Sequence, residues 1–138
     1  MATSGTPTQG LDNVIADRVY INGADLTLVA YTNTADSLNQ ATVYADLTQP
    51  TSANGYAPIL LNGTWSSSGG IVTYEHSVNN AAGQPFPEWT ATGTWSAPVT
   101  GVAIVNGTSH IAHFKDLSAP FVAAAGKKLT VDLDTVVV

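Results

Sequence analysis

The clearest pattern in the chain is a strict alternation of residue types between Trp89 and Trp95. Apolar residues or glycine occupy every second position of this segment, and threonines occupy the positions between them. A period of two predicts a β-strand with one buried face, which here carries both tryptophans. The apolar run 99–105 and the dipeptide Asn106-Gly107 follow, and Asn-Gly favours a tight hairpin because both residues tolerate positive φ. We therefore expect a three-stranded meander at the centre of the core, with residues 109–115 returning antiparallel to 99–105.

Alternating segments bounded by turn residues predict further strands along the rest of the chain. They span residues 14–21, 24–32, 41–47, 56–61, 64–66, 71–78, 121–125 and 128–137. No segment combines the 3.6-residue period with the capping residues of a helix, although the alanines in 118–125 also allow a short helical turn. The pattern predicts an all-β fold, a single antiparallel β-sandwich or barrel-like domain of about nine or ten short strands.

The first residues of the chain lack any alternation. Residues 1–9 are rich in Thr, Ser, Gly and Pro. Such a segment is typical of an arm that becomes ordered on a partner, and also of a frayed terminus, which is the commoner case. Because 138 residues correspond most simply to one domain, we expect a single β domain over residues 1–138, with residues 1–12 as an extended N-terminal arm.

The chain carries few charged residues, and this composition argues against some classes of binding partner. Charged residues make up 10% of the sequence, against about 25% in ordinary proteins, and the net charge is −6 with only four basic residues. A nucleic-acid binder needs clustered Lys and Arg, so we expect no nucleic-acid partner. No apolar run approaches the roughly 20 residues that span a bilayer, and the N-terminus lacks signal-peptide features, so we expect a soluble protein with no membrane partner. A neutral, Thr-rich surface suits a protein packed against other subunits, and it also occurs in adhesins.

The ionisable residues form no recognisable catalytic or metal-binding motif. No phosphate-binding loop, nucleophile elbow or metalloprotease helix is present. His110 and His113 are three positions apart in the sequence. On a regular strand their side chains would therefore lie on opposite faces and could not easily bind the same metal ion. Asp132 and Asp134 share a face, but Ca²⁺ needs six to eight oxygen ligands, and an outer face in solvent is the favoured interpretation. We expect no cofactor and no metal.

Acid–base chemistry has equally weak support. Glu75 and His76 are neighbours on a predicted strand and therefore diverge, and Glu88 lies in a separate segment. A Ser-His-Asp triad assembled from distant positions stays open, because triads form in space rather than in sequence. We expect a protein that is not an enzyme.

The aromatic residues allow one binding interpretation. Tyr56 and Trp65 are candidates for a platform that stacks on sugar rings, and Trp65 is expected to be the most exposed tryptophan because it adjoins a Ser/Gly turn. The other interpretation is that these rings belong to the core, as the alternation already indicates for Trp89 and Trp95.

Several short segments together resemble small structural proteins encoded by tailed bacteriophages. They read YADLTQP at 44–50, NGYAP at 54–58, GTW at 63–65, IVTY at 71–74, WTA at 89–91, TGVA at 100–103, HFKD at 113–116 and AGKKL at 125–129. The resemblance runs from about residue 43 to the C-terminus and carries over no catalytic residue. It implies a virion component, above all a capsid decoration (cement) protein. Such a protein lies on the outer surface of the shell, bridges neighbouring copies of the major capsid protein and works as a homo-oligomer, either dimer or trimer.

Under this resemblance, the two ends of the chain are the candidate contact segments. In the N-terminal arm, within 2–12, the candidate residues are Ala2, Thr3, Thr6 and Thr8. At the other end, Val136, Val137 and Val138 either add to the sheet edge of a neighbour or end the last strand of the protein's own sheet. The alternative function is a tail or head-fibre adhesin that binds host-surface glycan through Tyr56 and Trp65.

Overall fold

The fold is all-β, as the alternation predicts. A computed structural model describes residues 14–23, 25–69, 71–133 and 136–137 of the chain. Its strands are β1 (Leu26–Tyr31), β2 (Ile59–Leu61), β3 (Thr64–Ser68), β4 (Ile71–Glu75), β5 (Glu88–Thr90), β6 (Val99–Asn106), β7 (His110–Phe121), β8 (Lys128–Thr130) and β9 (Val136–Val137). The helical elements of these described ranges are a π-helical turn, Ala16–Ile21, and a 3-10 turn, Tyr44–Asp46.

The strands form three antiparallel sheets around a shared core. The first sheet has the order β2-β1-β6-β7, the second β3-β4-β9, and the third pairs β5 with β8. All three contribute to the main core, for example through Leu28 and Ile104 of the first sheet, Tyr74 of the second and Trp89 of the third. The sheets therefore pack face to face as a sandwich, and the described strands do not close into a barrel.

Trp89 and Trp95 are buried in this core, which confirms the inward face of their segment. They are 3% and 5% exposed. The Tyr56 ring lies between them, with centroid separations of 5.6 Å to Trp89 and 5.2 Å to Trp95. Each indole N–H donates to a backbone carbonyl, Trp89 to Ala57 at 2.6 Å and Trp95 to Asn54 at 2.9 Å, so neither polar tip is buried without a partner.

The meander itself is only partly correct. The hairpin between β6 and β7 forms as predicted, with Asn106 opposite His110. However, β5 ends at Thr90 and pairs with β8 in another sheet rather than with β6. Pairing to the same neighbour continues beyond Thr90, since the Ala91 N–H donates to the Lys127 carbonyl. Residues 91–98 then cross to the first sheet.

The first sheet is covered on both faces. Its second face carries a smaller core of Val29, Tyr31, Ala103 and Val105, here called the second core. Residues 32–58, the covering loop, lie over it and contribute Leu38, Tyr44 and Leu47. Asn33 holds this loop together, because its amide donates to the Asp46 carbonyl and accepts from the Thr48 N–H, both at 2.8 Å.

Three predicted strands are wrong. Residues 14–21 form the π-helical turn, in which Ile15, Ala16, Val19 and Tyr20 pack against the main core with helical rather than alternate spacing. Residues 41–47 form the 3-10 turn, where the Asp46 carboxylate accepts from the Val43 N–H at 2.9 Å. Residues 121–125 neither start a strand nor form a helical turn. Phe121 ends β7, and the chain turns where the Lys127 N–H donates to the Ala124 carbonyl.

Candidate interaction site

The candidate contact residues at the chain ends are only partly described. Ala2, Thr3, Thr6, Thr8 and Val138 lie outside the described residues. The backbones of Val136 and Val137 form β9 and pair with Val72 and Ile71 of β4. The two valines thus extend the protein's own sheet, where β9 is an edge strand of the order β3-β4-β9.

Tyr56 does not form an exposed glycan platform, and that expectation is corrected. Its side chain is only 3% exposed, because it packs between the buried tryptophans. Its hydroxyl donates to the Gln49 side chain at 2.7 Å and accepts from the Ala30 N–H at 3.1 Å. Burial raises the pKa of this phenol to about 12. Tyr56 therefore links the covering loop to β1 from inside the protein.

Trp65 is half-buried rather than openly exposed. Its ring centroid lies 5.0 Å from that of Tyr20 in the π-helical turn and 4.5 Å from that of Tyr74 in β4. Both partners are buried, so only part of one indole is available for stacking. Tyr56 and Trp65 consequently do not combine into one exposed aromatic surface.

His76 and Glu88 have structural partners. The Tyr74 hydroxyl accepts from the Gly63 N–H at 2.9 Å and lies 2.7 Å from His76 Nδ1. Burial lowers the pKa of His76 and so favours its neutral form. Glu88 accepts from the Thr130 hydroxyl at 2.8 Å and lies 3.9 Å from Lys128 Nζ. These contacts fix neighbouring segments to one another.

The two histidines of β7 lie on the same face of the sheet, contrary to the expectation from their spacing. His113 is opposite Ile104 and His110 is opposite Asn106, two positions further along β6, with a register shift between Ile104 and Val105. The additional residue on β7 reverses the alternation between the histidines. Even so, no group of three or more His, Asp or Glu side chains suited to a metal ion occurs among the described residues. Asp132 is exposed, and Asp134 lies outside those residues.

The feature that the sequence did not reveal is the open edge of β7. This strand is twelve residues long, far longer than predicted, and it ends the order β2-β1-β6-β7 with no described strand on its outer side. All twelve of its residues are half-buried or exposed. An edge of this kind presents unpaired backbone N–H and C=O groups to which another chain can add.

Two depressions follow one another along β7, and together they are called the β7 groove. The first, of about 240 Å³, lies between residues 111–114 and the part of the covering loop around Asn39 and Thr42. The second, of about 260 Å³, lies between residues 115–118 and the segment 130–132. The β7 residues that border these two depressions are eight consecutive ones, 111–118. The first depression lies beside the covering loop, and the second lies beside Val131, which packs in the main core.

The charges of the β7 groove are concentrated at its centre. Lys115 is exposed and lines the second depression. The Asp116 carboxylate, in contrast, accepts hydrogen bonds from within the protein. Hydrogen bonds from the Tyr31 hydroxyl at 2.6 Å and from the Asp36 N–H at 2.8 Å lower the pKa of Asp116. Burial, together with the nearby Lys115 charge, lowers the pKa of His113. The exposed charges that line the second depression are therefore Lys115 and Asp132, of opposite sign.

The arrangement is suited to binding an extended chain. In β-strand addition, backbone hydrogen bonds to an open edge supply affinity, and pockets along the strand select side chains. The β7 groove has both features. Edge strands avoid non-specific pairing by means of charged side chains, prolines and β-bulges. β7 has all three, in Lys115, Pro120 and its register shifts with β6, so only a partner strand of matching shape is expected to add to it.

Comparisons with known proteins identify no relative of this chain. No protein-family model, no curated protein and no solved structure matches the chain. None of the helices that the structure describes has both the length and the apolar character required to cross a bilayer.

Proposed function

We propose that this chain is a non-enzymatic structural protein of a tailed-phage virion, a decoration protein that binds the major capsid protein on the outer surface of the shell. The observation that carries the proposal is the β7 groove, an open twelve-residue edge strand flanked by two depressions. The segments that resemble phage structural proteins supply the identity of the partner, and four of those motifs lie on strands β4 to β7.

The surface composition supports a role in assembly. With only 10% charged residues, the chain covers its exterior with Ser, Thr, Asn and Gly. Removing such side chains from water requires less free energy than removing ammonium or carboxylate groups. A buried hydroxyl or amide needs only a hydrogen-bond partner, whereas an unpaired charge is strongly destabilised by burial. A surface of this kind can be covered by neighbouring subunits over a large area.

The rigidity of the sandwich supports the same role. The first sheet is buried on both faces, and the covering loop is tied to it through Tyr56, which bonds Ala30, and through Asp116, which bonds Asp36. A decoration protein stabilises a shell by holding two neighbours at a fixed separation, which requires a body that does not deform. Homo-oligomerisation by a closed symmetry, as dimer or trimer, follows the usual behaviour of such assemblies.

The experiment is a binding assay with purified particles that lack the chain. The full-length protein is added, and the bound amount is measured after sedimentation. Saturable binding to intact particles is expected. Two charge reversals locate the contact, because Lys115 lies in the β7 groove, whereas Lys127 is equally exposed in a turn outside it.

Lys115→Glu is expected to weaken binding by about tenfold, while Lys127→Glu, with the same change of net charge, leaves it nearly unchanged. Thermal unfolding of both variants checks that the fold is retained. Absence of any binding by the unmodified protein would contradict the function. Equal binding by both variants would contradict the β7 groove as the contact.

A further inference from the structure

The chain contains four Asn-Gly dipeptides, which begin at Asn22, Asn54, Asn62 and Asn106. This dipeptide can react with itself. The glycine nitrogen loses its proton and attacks the asparagine amide carbon, ammonia leaves, and a cyclic imide forms. Water then opens the imide to aspartate or to isoaspartate, in which the main chain runs through the side-chain carbon. The net change is hydrolysis of one amide to a carboxylate, with water consumed and ammonia released.

Reaction requires freedom at two places. The side-chain amide must rotate toward the following nitrogen, and that nitrogen must be released from any hydrogen bond. Glycine favours the attack because it has no side chain to obstruct the approach. The four dipeptides share the same local chemistry, so the folded structure decides how they differ.

Hydrogen bonds restrain the first two dipeptides. The Asn22 amide donates to the Asp17 carboxylate. The Asn54 amide donates to the Thr94 carbonyl at 2.8 Å, and the Asn54 carbonyl accepts from the buried Trp95 indole at 2.9 Å. Rotation of either side chain therefore breaks an existing contact.

The dipeptide at Asn62 is restrained at both of its reacting groups. The Asn62 side-chain oxygen accepts from the Ser77 hydroxyl at 2.9 Å. The Gly63 nitrogen, which would be the attacking atom, donates to the buried Tyr74 hydroxyl at 2.9 Å. This nitrogen cannot attack while the hydrogen bond to Tyr74 persists.

Asn106 and Gly107 are different. Both are exposed at the tip of the hairpin between β6 and β7. Among the described residues, no side-chain hydrogen bond involves the Asn106 amide, and no turn hydrogen bond involves the Gly107 nitrogen. Apart from Gly107 itself and its two chain neighbours, no residue has an atom within 4 Å of the position where a side chain on Gly107 would begin. Both requirements for the reaction are met at this dipeptide.

We propose that Asn106 is a site of spontaneous deamidation, and that it is modified faster than the other three Asn-Gly positions in the folded protein. Aspartate adds one negative charge at the hairpin tip, where the exposed Ser109 hydroxyl contacts His110. Isoaspartate also adds one carbon to the main chain of β6 at the position opposite His110, which is the residue pair next to the hairpin turn. The product thus alters the end of the edge strand β7.

The test is incubation of the folded full-length chain in mildly alkaline buffer, followed by proteolysis and mass spectrometry of the four Asn-Gly peptides. The Asn106 peptide is expected to gain the acid product about fivefold faster than the others, since losing one restraining hydrogen bond costs roughly one kcal/mol. Asn106→Gln should abolish the fast phase, whereas Asn62→Gln should leave it unchanged.

Incubation in denaturant provides the matched control. Without the fold, the four dipeptides are expected to react at similar rates. Similar rates in the folded chain, or faster reaction at Asn22, Asn54 or Asn62 than at Asn106, would overturn the proposal. Absence of any product in the folded chain, with all four modified in denaturant, would overturn it equally.

Discussion

The Tyr31 hydroxyl donates a 2.6 Å hydrogen bond to the Asp116 carboxylate and so joins β1 to β7 across the intervening strand β6. Tyr31 is opposite Gly101 of β6, and Gly101 is opposite Asp116 of β7. The tyrosine ring can cross β6 only because Gly101 has no side chain. A Cβ at this position would lie 2.1 Å from the hydroxyl oxygen and 2.2 Å from the ring carbon that bears it.

Gly101→Ala is therefore expected to destabilise the protein strongly. Tyr31 is completely buried and has no room to move away, so overpacking should cost about 1–3 kcal/mol. Displacement of the ring would also break the hydrogen bond to Asp116, for about 1 kcal/mol more. Urea unfolding measures the free energy.

Gly83→Ala is the control for this substitution. Gly83 has φ of +78°, and no residue beyond its chain neighbours lies within 4 Å of the position that an alanine Cβ would occupy, so alanine there incurs only backbone strain, about 1 kcal/mol. If Gly101→Ala costs no more than Gly83→Ala, Tyr31 does not lie over Gly101.

The coupling between Tyr31 and Asp116 is open to a double-mutant cycle. Tyr31→Phe removes the donor, and Asp116→Asn leaves the Asp36 N–H without its carboxylate acceptor. Each change is expected to cost about 1–2 kcal/mol, and the double variant should cost less than the sum because the shared bond is lost once. Strict additivity would show that the two side chains do not interact.

Because of Asp116, the free energy of unfolding is expected to decrease at acidic pH. The hydrogen bonds from Tyr31 and Asp36 lower its folded pKa below the ordinary 3.8, so the unfolded chain binds the proton more readily. Its stabilising contribution is present above pH 3.8 and is lost as the pH falls through the lower folded pKa. In Asp116→Asn this part of the acid loss should be absent from urea titrations. An unchanged acid profile would contradict the assignment.

His76 should make stability depend on pH at a higher range. Burial lowers its folded pKa below 6.5, so the unfolded state binds a proton first as the pH falls. The free energy of unfolding is expected to decrease as the pH drops below about 6.5, down to the folded pKa, and to recover on return to higher pH. His76→Gln, which retains an acceptor for the Tyr74 hydroxyl, should reduce this decrease.

His113 contributes in the same direction, because burial and Lys115 lower its pKa as well. Comparing His76→Gln, His113→Gln and the double variant separates the two contributions. If the double variant retains the full decrease between neutral and mildly acidic pH, the neutral histidines are not its cause.

Residues 2–12 are expected to contribute to attachment rather than to folding. They precede Val14, the first residue that the structure describes. A chain lacking 2–12 should unfold at nearly the same urea concentration as the full chain and should bind particles more weakly. Equal decoration of particles by both chains would rule out a contact role for Ala2, Thr3, Thr6 and Thr8.

The parts of the fold that the sequence predicted are those with a local signal. The alternation around Trp89 and Trp95 identifies a buried face, and Asn106-Gly107 identifies the β6–β7 hairpin, because both signals lie within a few residues. The π-helical turn also has a local signal, because its core-facing residues have helical spacing: Ile15, Ala16, Val19 and Tyr20. The apolar residues of 14–21 fit a strand as well, so the sequence pattern alone does not separate the two.

Other features depend on contacts between distant segments and had no local signal. Tyr56 looks like an exposed aromatic in sequence, and only the packing of Trp89 and Trp95 around it shows that it is buried. The pairing of β5 with β8 links residues 40 positions apart along the chain, for instance Trp89 with Leu129. The open edge of β7 likewise depends on which strands occupy the sheet, which no single segment specifies.

The most direct test of the proposed function is the number of copies of this chain in purified virions, relative to the major capsid protein. A decoration protein that covers the shell by symmetry is expected at about one copy per capsid subunit. A ratio of a few copies per hundred subunits would contradict shell decoration and indicate a tail or fibre component. Absence of the chain from the particle would contradict a structural role in the virion altogether.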